Sequence, residues 1–170
     1  MKNYILVAEE QEKKLIVDIL GGKEVANNQF ELLDKSLWQL VITGVGAINV
    51  IRALQTLPKD GHYINIGYAG SANFEIGTIV AVTQSRLNHP NANYDEPVFS
   101  LKQPTFPLSK PFIQAPCYTH TDFVLQSDYA DCIFDMELAF IMALGFENVV
   151  SIKHVSDNLS KKEYINSVKS

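Results

Sequence analysis

Acidic side chains follow three apolar segments of the chain that have the composition of buried strands. They are Glu9, Glu10 and Glu12 after the first segment, Asp135 and Glu137 on either side of a methionine, and Asp157 after the last segment. Because the carboxyl ends of parallel strands meet at one edge of a sheet, we expect these carboxylates to converge there. Converging carboxylates can act as general acid, general base and acceptor of sugar hydroxyl groups, the chemistry that cleaves a glycosidic bond. For each single acid a simpler interpretation stays open, since helix N-termini favour negative charge.

Strands alternating with helices must hold these acids in place. The apolar periodicity predicts strands at residues 4–8, 30–33, 37–43, 62–69, 76–83, 112–118, 132–136 and 149–155. It predicts helices at residues 13–20, directly after Gly44-Val45-Gly46, at 126–131 as a single turn, at 137–144 and at 161–168. Nearly continuous apolar runs favour strands that are covered on both faces. The sequence therefore predicts one α/β domain over residues 1–170, a three-layer α/β/α arrangement around a central mixed, largely parallel sheet.

Residues 87–111 differ in character from the rest of the chain. They hold five of the seven prolines, together with Asn88, Asn91 and Asn93. Such a segment is too polar, and too often broken by proline, to form core elements. We expect an irregular excursion on the surface.

Length and charge narrow the class of protein. A chain of 170 residues is the size of one domain with a core of its own. It carries 19 Asp and Glu against 14 Lys and Arg, with no basic cluster, which argues against binding to nucleic acid or anionic lipid through phosphate contacts. No apolar stretch approaches the roughly 20 residues that cross a bilayer. We expect a cytoplasmic protein whose ligand is a small molecule.

The sequence offers no convincing site for a metal or a cofactor. Cys117 and Cys132 are too few for a disulfide framework and too far apart for a compact zinc site, so we expect reduced thiols. The four histidines are scattered, at His62, His89, His120 and His154. Gly44-Val45-Gly46-Ala47 lacks the third glycine of a dinucleotide-binding fingerprint. We therefore expect no metal and no cofactor.

Five motifs, taken in order, resemble the nucleoside phosphorylase/nucleosidase superfamily. They are Gly44-Val45-Gly46, Asn65-Ile66-Gly67-Tyr68-Ala69-Gly70, Ile76-Gly77-Thr78-Ile79-Val80, Asp135-Met136-Glu137 and Val155-Ser156-Asp157. Within that superfamily the chain looks like a shortened methylthioadenosine/S-adenosylhomocysteine nucleosidase. The resemblance spans about residues 1–157 and is weakest over residues 87–111. It implies a nucleoside phosphorylase-like fold that cleaves purine nucleosides.

The resemblance assigns roles to two of the strand-end acids. It places Met136 against the ribose and has Glu137 accept hydrogen bonds from the 2′ and 3′ hydroxyl groups, where a carboxylate also opposes positive charge on the sugar. It has Asp157 donate a proton to N7 of the purine, which improves the leaving group. Without the resemblance, Glu137 would be a first-turn acid of the next helix and Asp157 an N-cap.

Glu12 corresponds to the carboxylate that activates the attacking water in the nucleosidases, within Ala8-Glu9-Glu10-Gln11-Glu12. A small shift of register gives this role to Glu9 or Glu10 instead. Phosphorylases of the same superfamily hold phosphate with a Gly-Asp-Pro-x-x-Arg type of loop, which this chain lacks. The resemblance therefore favours water as the nucleophile.

Further substrate contacts follow from the resemblance, with two departures from the family pattern. The expected contacts are Phe123, which stacks on the purine, and Val45, Ala69, Gly70, Lys153 and Ser156. Tyr68 replaces a small hydroxyl residue, so its ring either fills part of the pocket or turns away. Lys153 replaces an arginine, which keeps the charge but loses the bidentate fork.

These features lead to the hypothesis of a nucleosidase that hydrolyses a purine nucleoside and releases adenine or a related base. A homodimer is expected from the resemblance. Three alternatives stay open: a phosphorylase, a hydrolase of another purine-type nucleoside such as futalosine, and a nucleoside-binding protein with little or no activity. Tyr68, Lys153 and the short chain motivate the last of these.

Overall fold

The computed structural model describes residues 2–89 and 94–169. The strands are β1 Asn3–Val7, β2 Lys23–Ala26, β3 Gln29–Glu31, β4 Leu37–Ile42, β5 His62–Gly70, β6 Ile79–Leu87, β7 Phe99–Ser100, β8 Ile113–Thr119, β9 Ile133–Asp135 and β10 Asn148–Asp157. The helices are α1 Lys13–Leu20, α2 Ala47–Leu54, α3 Leu138–Ala143 and α4 Lys161–Lys169, and a 3-10 turn, Glu10–Glu12, precedes α1.

The strands form one ten-stranded sheet. Its order is β10-β6-β8-β9-β5-β1-β4-β3-β2, with β7 paired to β6. Because β5 pairs with β10 as well as with β9, the strands β5, β10, β6, β8 and β9 close into a ring. Among the described residues, five ladders are parallel and five are antiparallel. The chain is thus a mixed α/β fold with a large central sheet.

Helices pack against two separate core clusters because alternate residues of the strands point to opposite faces. In β1, Tyr4 and Leu6 belong to the cluster that holds the buried residues of α2 and α3. Ile5 and Val7 belong to the other cluster, which holds the buried face of α1 and against which α4 packs. Both faces of β1 are therefore dry, as its continuous apolar sequence requires.

Three parallel strands bring their carboxyl ends to one edge of the sheet. Asn3 of β1 pairs with His62 of β5, and Asn148 of β10 pairs with the same histidine, so the three strands start level with one another. All three run toward the same edge, although β1 has 5 residues against 9 in β5 and 10 in β10, and the ends of β5 and β10 and the segment that follows β1 meet at one cavity. This edge carries the acidic residues that follow the apolar segments in the sequence.

Several predicted elements are confirmed at or near their predicted bounds. The helix predicted at residues 13–20 is α1, and Leu15, Ile16, Ile19 and Leu20 are its buried face. The strand predicted at residues 62–69 is β5, which extends to Gly70. Both segments have a strong local pattern, and Gly21 ends α1 with a φ of +62° that suits glycine.

Other predictions are wrong, and each error has a local cause. The single helical turn predicted at residues 126–131 is absent, and that segment is irregular. The strand β2 has four exposed residues at the sheet edge, so no burial pattern marks it. The strand predicted at residues 76–83 begins only at Ile79 and continues to Leu87, where polar residues pair with β8.

The excursion at residues 87–111 is closer to the core than its composition predicts. Residues 90–93, which include Asn91 and Asn93, lie outside the described part of the chain. Phe99 and Ser100 form β7 along β6, and the next residue, Leu101, is buried in a core cluster. Phe106 and Leu108 pack against the other cluster. Isolated apolar residues between prolines are thus enough to anchor this segment to the core.

Within the described ranges, every helix falls short of the length and apolar character that a membrane span requires.

Candidate active site

A cavity of about 230 Å³ opens at the sheet edge where β1, β5 and β10 end. Residues of β5, β9, β10 and α4 and of the segments that follow β1, β4, β8 and β9 contribute to its wall, and acids dominate its polar part. The lining residues are Ala8, Glu9, Glu12, Val45, Tyr68, Ala69, Gly70, Phe123, Phe134, Asp135, Met136, Glu137, Ser156, Asp157 and Tyr164. Such a concave site at the carboxyl ends of parallel strands is where α/β proteins bind ligands.

Glu12 is held rigidly at the floor of this cavity. Its side chain ends the 3-10 turn and is 6% exposed. Its Oε1 accepts hydrogen bonds from the amides of Ala8 at 2.8 Å and Glu9 at 2.9 Å, and its Oε2 accepts one from the amide of Tyr68 at 3.0 Å. Burial raises the pKa of Glu12, although nearby Lys153 and these amides oppose the rise. The carboxylate is thus both oriented and more basic than in water.

Gly67 is the reason that Glu12 can approach β5 so closely. A Cβ at position 67 would lie 2.6 Å from Glu12 Oε2, closer than carbon and oxygen can pack. The absence of a side chain therefore makes room for the carboxylate against the strand. Gly67 belongs to the motif Asn65-Ile66-Gly67-Tyr68-Ala69-Gly70, but the sequence alone does not show this contact with Glu12.

Asp157 is the last residue of β10, and its carboxyl group lies on the other side of β5 from Glu12. Its Oδ1 accepts a hydrogen bond from the Ser156 hydroxyl at 2.7 Å, and its Oδ2 accepts one from the Leu159 amide at 2.9 Å. Gly70 gives it room as Gly67 does for Glu12, since a Cβ there would lie 2.8 Å from Asp157 Oδ2. Burial raises the pKa of Asp157 against the effect of these bonds. A proton on this carboxyl group is therefore easier to retain than in water.

Glu137 and Met136 enter the cavity from the connection between β9 and α3. The amide of Gly46 donates a hydrogen bond of 3.0 Å to Glu137 Oε2, so the glycine turn before α2 orients this carboxyl group. Burial, followed by the charge of Asp135, raises the pKa of Glu137 to about 8. Glu137 is therefore poised to change its charge near neutral pH.

Asp135 anchors this connection from beneath. Its Oδ2 accepts hydrogen bonds from the amides of Leu138 at 2.7 Å and Glu137 at 3.3 Å, which caps the first turn of α3. Its Oδ1 accepts one from the Thr119 hydroxyl at 2.5 Å. The carboxylate thus fixes the backbone from which Glu137 projects.

Lys153, one of the expected substrate contacts, is not among the residues that line the cavity. Its side chain lies within β10 and is only 2% exposed, and its Nζ is 3.3 Å from Asp135 Oδ2. Burial opposes charge on Lys153, but the surrounding acidic groups, Asp135 foremost, raise its pKa above the ordinary value. A lysine buried behind Asp135 cannot reach a ligand without displacing that residue.

Aromatic rings form the apolar part of the cavity wall. Phe123 and Phe134 come from the segments on either side of residues 124–132, and Tyr164 comes from α4. The rings of Phe123 and Tyr164 meet edge to face, with centroids 5.7 Å apart. The Tyr164 hydroxyl donates a hydrogen bond of 3.2 Å to Glu9 Oε2. A flat apolar ligand therefore has ring faces and edges to contact on this side.

Tyr68 turns mainly into the core instead of filling the cavity. It belongs to the cluster beneath α1, and its ring meets those of His154 and Tyr164 edge to face. Burial raises its pKa to about 12, so the phenol stays neutral. Tyr68 thus packs into the core and is at the same time one of the residues that line the cavity.

Nine of the ten predicted site residues line this one cavity. They are Glu12, Val45, Ala69, Gly70, Phe123, Met136, Glu137, Ser156 and Asp157, and Lys153 lies behind them. Among the alternatives to Glu12, Glu10 points away, with 69% of its side chain exposed beside Lys13. Glu9 lies at the wall, where it accepts hydrogen bonds from Gln11 and Tyr164.

Sequence reasoning missed Tyr164, Phe134 and Ala8 as lining residues. Tyr164 lies on the terminal helix, and nothing in its neighbours along the chain predicts that α4 packs beside α1. For Phe134, the position directly before Asp135-Met136-Glu137 was a usable signal. Within the described part of the chain, no group of three His, Cys, Asp or Glu side chains is arranged to hold a metal ion.

Comparison with known proteins finds similarity at the level of structure. No protein-family model matches the chain, and no curated protein sequence matches it. Solved structures do match. The MTAN of Chlamydia trachomatis has a TM-score of 0.73 at 19% identity, covering 99% of this chain and 90% of that one.

Two further structures agree with this match. The 5′-methylthioadenosine/S-adenosylhomocysteine nucleosidase of Neisseria meningitidis, in complex with methylthio-immucillin-A, has a TM-score of 0.73 at 19% identity, covering 99% of this chain and 92% of that one. The S-adenosylhomocysteine nucleosidase of Streptococcus pyogenes, in complex with 5-methylthiotubericidin, has a TM-score of 0.72 at 16% identity and covers 100% and 91%. The chain therefore has the fold of these nucleosidases over nearly its whole length.

Proposed function

We propose that this protein is a nucleosidase that hydrolyses the N-glycosidic bond of a purine nucleoside and releases adenine or a related base. The observation that carries the proposal is the convergence of Glu12, Glu137 and Asp157 on one cavity from three separate parts of the chain. The nucleosidase fold supports it, and so do the helices on the two faces of the sheet, which we interpret as a three-layer arrangement.

Asp157 is the proposed general acid for the leaving base. A purine leaves more easily when N7 receives a proton, and the raised pKa of Asp157 favours the protonated form that can donate it. Ser156 and the Leu159 amide keep the carboxyl group from rotating. Phe123 and Phe134, in the same wall, offer rings against which the flat base can pack.

Glu137 and Met136 are proposed to bind the ribose. With a pKa of about 8, Glu137 is mostly protonated at pH 7 in the free protein. Positive charge that develops on the ribose during bond cleavage favours its ionised form, and a carboxylate can then accept both hydroxyl groups. Its interaction is therefore stronger in the transition state than in the ground state, which is what accelerates a reaction.

Glu12 is the proposed general base for water. Three backbone amides hold the carboxylate, and its raised pKa makes it a better proton acceptor than a free glutamate. Ala69, Gly70 and Val45 are proposed to contact the ligand through shape, since they line the cavity without charged groups.

Water suits this cavity better than phosphate as the nucleophile. Glu9, Glu12, Asp135, Glu137 and Asp157 line it, and no Lys or Arg appears among its described lining residues. An anion such as phosphate would be repelled by these carboxylates and would find no fork to bind it. The same argument leaves phosphorolysis as the weaker of the two reactions.

We also propose that the protein is a homodimer located in the cytoplasm. Helix α2 begins next to Val45, a lining residue, and its neighbouring surface carries Ile48, which is 70% exposed, and exposed Ile51. A second copy would cover this apolar patch beside the cavity. In a reducing compartment Cys117 and Cys132 would stay as thiols. Sedimentation of the parent and of Ile48→Glu tests the dimer, which the variant should weaken.

The experiment that tests the function measures base release from a panel of purine nucleosides, with and without phosphate. Phosphate-independent release by the parent, reduced by ~10²–10⁴-fold in Asp157→Asn, supports hydrolysis. Asp128→Asn is the matched control, because Asp128 is exposed and outside the cavity wall. Release that requires phosphate indicates a phosphorylase. Nucleoside binding without release contradicts the enzymatic function.

A further inference from the structure

Lys153 is a buried cation at the centre of an acidic cluster, behind the cavity wall. Its strand position faces Gly67 of β5, and the space left by that glycine is shared: a Cβ there would lie 2.6 Å from Glu12 Oε2 and 3.5 Å from Lys153 Nζ. The ammonium group thus approaches Glu12 across a residue without a side chain. On its other side it lies 3.3 Å from Asp135 Oδ2.

Four acidic groups from four parts of the chain influence Lys153. They are Asp135 at the end of β9, Cys117 on β8, Glu137 before α3 and Glu12 at the end of the 3-10 turn. The Cys117 thiol is uncharged, because burial raises its pKa well above the ordinary value, so the ammonium group compensates charge on the three carboxyl groups. Removal of one partner from a buried set of charges leaves the remaining charges uncompensated, which is strongly unfavourable.

Asp135 links this charge to the position of Glu137. Its Oδ2 contacts Lys153 and also accepts the amide protons of Glu137 and Leu138. Without Lys153, Asp135 would be a buried carboxylate that has lost its charge partner, which is strongly unfavourable. The hydrogen bonds that cap α3 would weaken, and the backbone from which Glu137 projects would no longer be fixed.

We propose that Lys153 is a positioning residue for this cavity: its ammonium group pairs with Asp135 beneath the first turn of α3 and compensates negative charge on Glu12 and Glu137 without contacting the substrate. The proposal rests on the proposed nucleosidase function where activity is the readout. It differs from a direct substrate contact, because the side chain is 2% exposed and Asp135 stands beside it in the wall.

The kinetic test compares Lys153→Met and Lys153→Arg with the parent over a range of pH. We expect kcat/KM of Lys153→Met to fall at least ten-fold and the acid limb of its pH profile to move to higher pH, since Glu12 and Glu137 lose a neighbouring cation. Lys153→Arg, which keeps the charge, should retain the position of the acid limb. Lys102→Met is the matched control, since Lys102 is exposed and distant from the acidic cluster.

A loss of activity that is equal at every pH and equal in both Lys153 variants would overturn the proposal and indicate a packing role alone. A parent protein that cleaves no nucleoside would contradict the proposed function. In that case the role of Lys153 is tested by a second measurement, which does not depend on activity.

That measurement is NMR, which does not depend on activity, and its first part uses the parent protein alone. The ¹⁵N shift of Lys153 Nζ should be that of a charged ammonium group throughout pH 5–9. A neutral amine anywhere in that range would overturn the proposal. In Lys153→Met, where folded, the ¹³C titrations of the Glu12 and Glu137 carboxyl groups should move to higher pH, whereas unchanged titrations would contradict charge balance.

Discussion

The two ends of the parallel strands carry cavities of different size and different chemistry. At the carboxyl ends lies the cavity of about 230 Å³ with its buried acids. At the amino ends, a groove of about 580 Å³ runs between the starts of β1, β5 and β10 and the segment 102–107. The larger space is not the one with the more reactive groups.

The difference lies in how the polar groups are held. In the larger groove, Asp34, His62 and Lys102 are exposed, and hydrogen bonds from Ser36 lower the pKa of Asp34. In the smaller cavity, burial raises the pKa of Glu12, Glu137 and Asp157. Buried and oriented carboxylates are what acid–base chemistry requires, whereas volume alone only permits binding.

The largest effect is expected when Glu12, the proposed general base of the smaller cavity, is neutralised. Glu12→Gln keeps the shape of the side chain but cannot accept a proton, so kcat for nucleoside hydrolysis should fall by ~10²–10⁴-fold. Glu10→Gln, two residues away and exposed, is the matched control and should remain within about two-fold of the parent. If Glu10→Gln lost activity and Glu12→Gln did not, the general base would be Glu10 and not Glu12.

A methyl group on β5 should disturb the smaller cavity through its geometry. In Gly67→Ala the new Cβ overlaps Glu12 Oε2, so the carboxylate must move, and kcat should fall by about 10²-fold. Gly61→Ala, just before the same strand at the other end, meets the Lys2 carbonyl oxygen at 3.1 Å and should leave kcat nearly unchanged. Equal kinetics for the two variants would show that the close approach of Glu12 has no functional role. Thermal unfolding of both separates activity from stability.

Glu137 should make folding stability depend on pH. Its pKa is about 8 in the folded protein against an ordinary value of 4.5, so its contribution to stability is fully present below pH 4.5 and is lost as pH rises through 8. Glu137→Gln removes this dependence and should be more stable than the parent at pH 9, by up to about 5 kcal/mol. Urea unfolding at pH 5, 7 and 9 measures the difference, which should shrink toward pH 5. A parallel pH dependence in parent and variant would contradict the raised pKa.

The smallest effect on activity is expected from the larger groove. Trp38 lines it and donates an indole hydrogen bond of 2.7 Å to the Ser36 hydroxyl. Trp38→Phe should cost ~1 kcal/mol of unfolding free energy through this lost bond and leave kcat/KM within about two-fold of the parent. Denaturant unfolding and steady-state kinetics check the two parts. A large kinetic effect would mean that the two ends are coupled.

Much of the sheet edge at the carboxyl ends of β1, β5 and β10 could be predicted, because the sequence signals for it are local. The apolar runs of β1, β5 and β10 and the acids that follow them are adjacent in sequence, and parallel strands place such acids at one edge. The short strand β2 and the irregular segment at residues 126–131 lacked a periodic pattern and were not predicted. Pattern reasoning fails where an element owes its shape to neighbours and not to its own burial.

The site could be predicted less completely, for a related reason. Lys153 has the sequence position expected of a substrate contact, yet its side chain points behind the wall to Asp135. Tyr164 reaches the cavity because α4 packs beside the cluster under α1, a contact between residues more than a hundred positions apart in the chain. Neither outcome has a local signal.

By itself, the sequence determined which residues could do chemistry and which edge of the sheet they would occupy. Alternation of apolar and polar residues specifies elements, and the position of an acid after a strand specifies its edge. Only the tertiary structure decided which of Glu9, Glu10 and Glu12 faces the cavity, because a 3-10 turn rotates them apart. It also decided that two glycines of β5 admit the carboxylates of Glu12 and Asp157 and that Lys153 pairs with Asp135, since these contacts depend on distances between strands that no local pattern records.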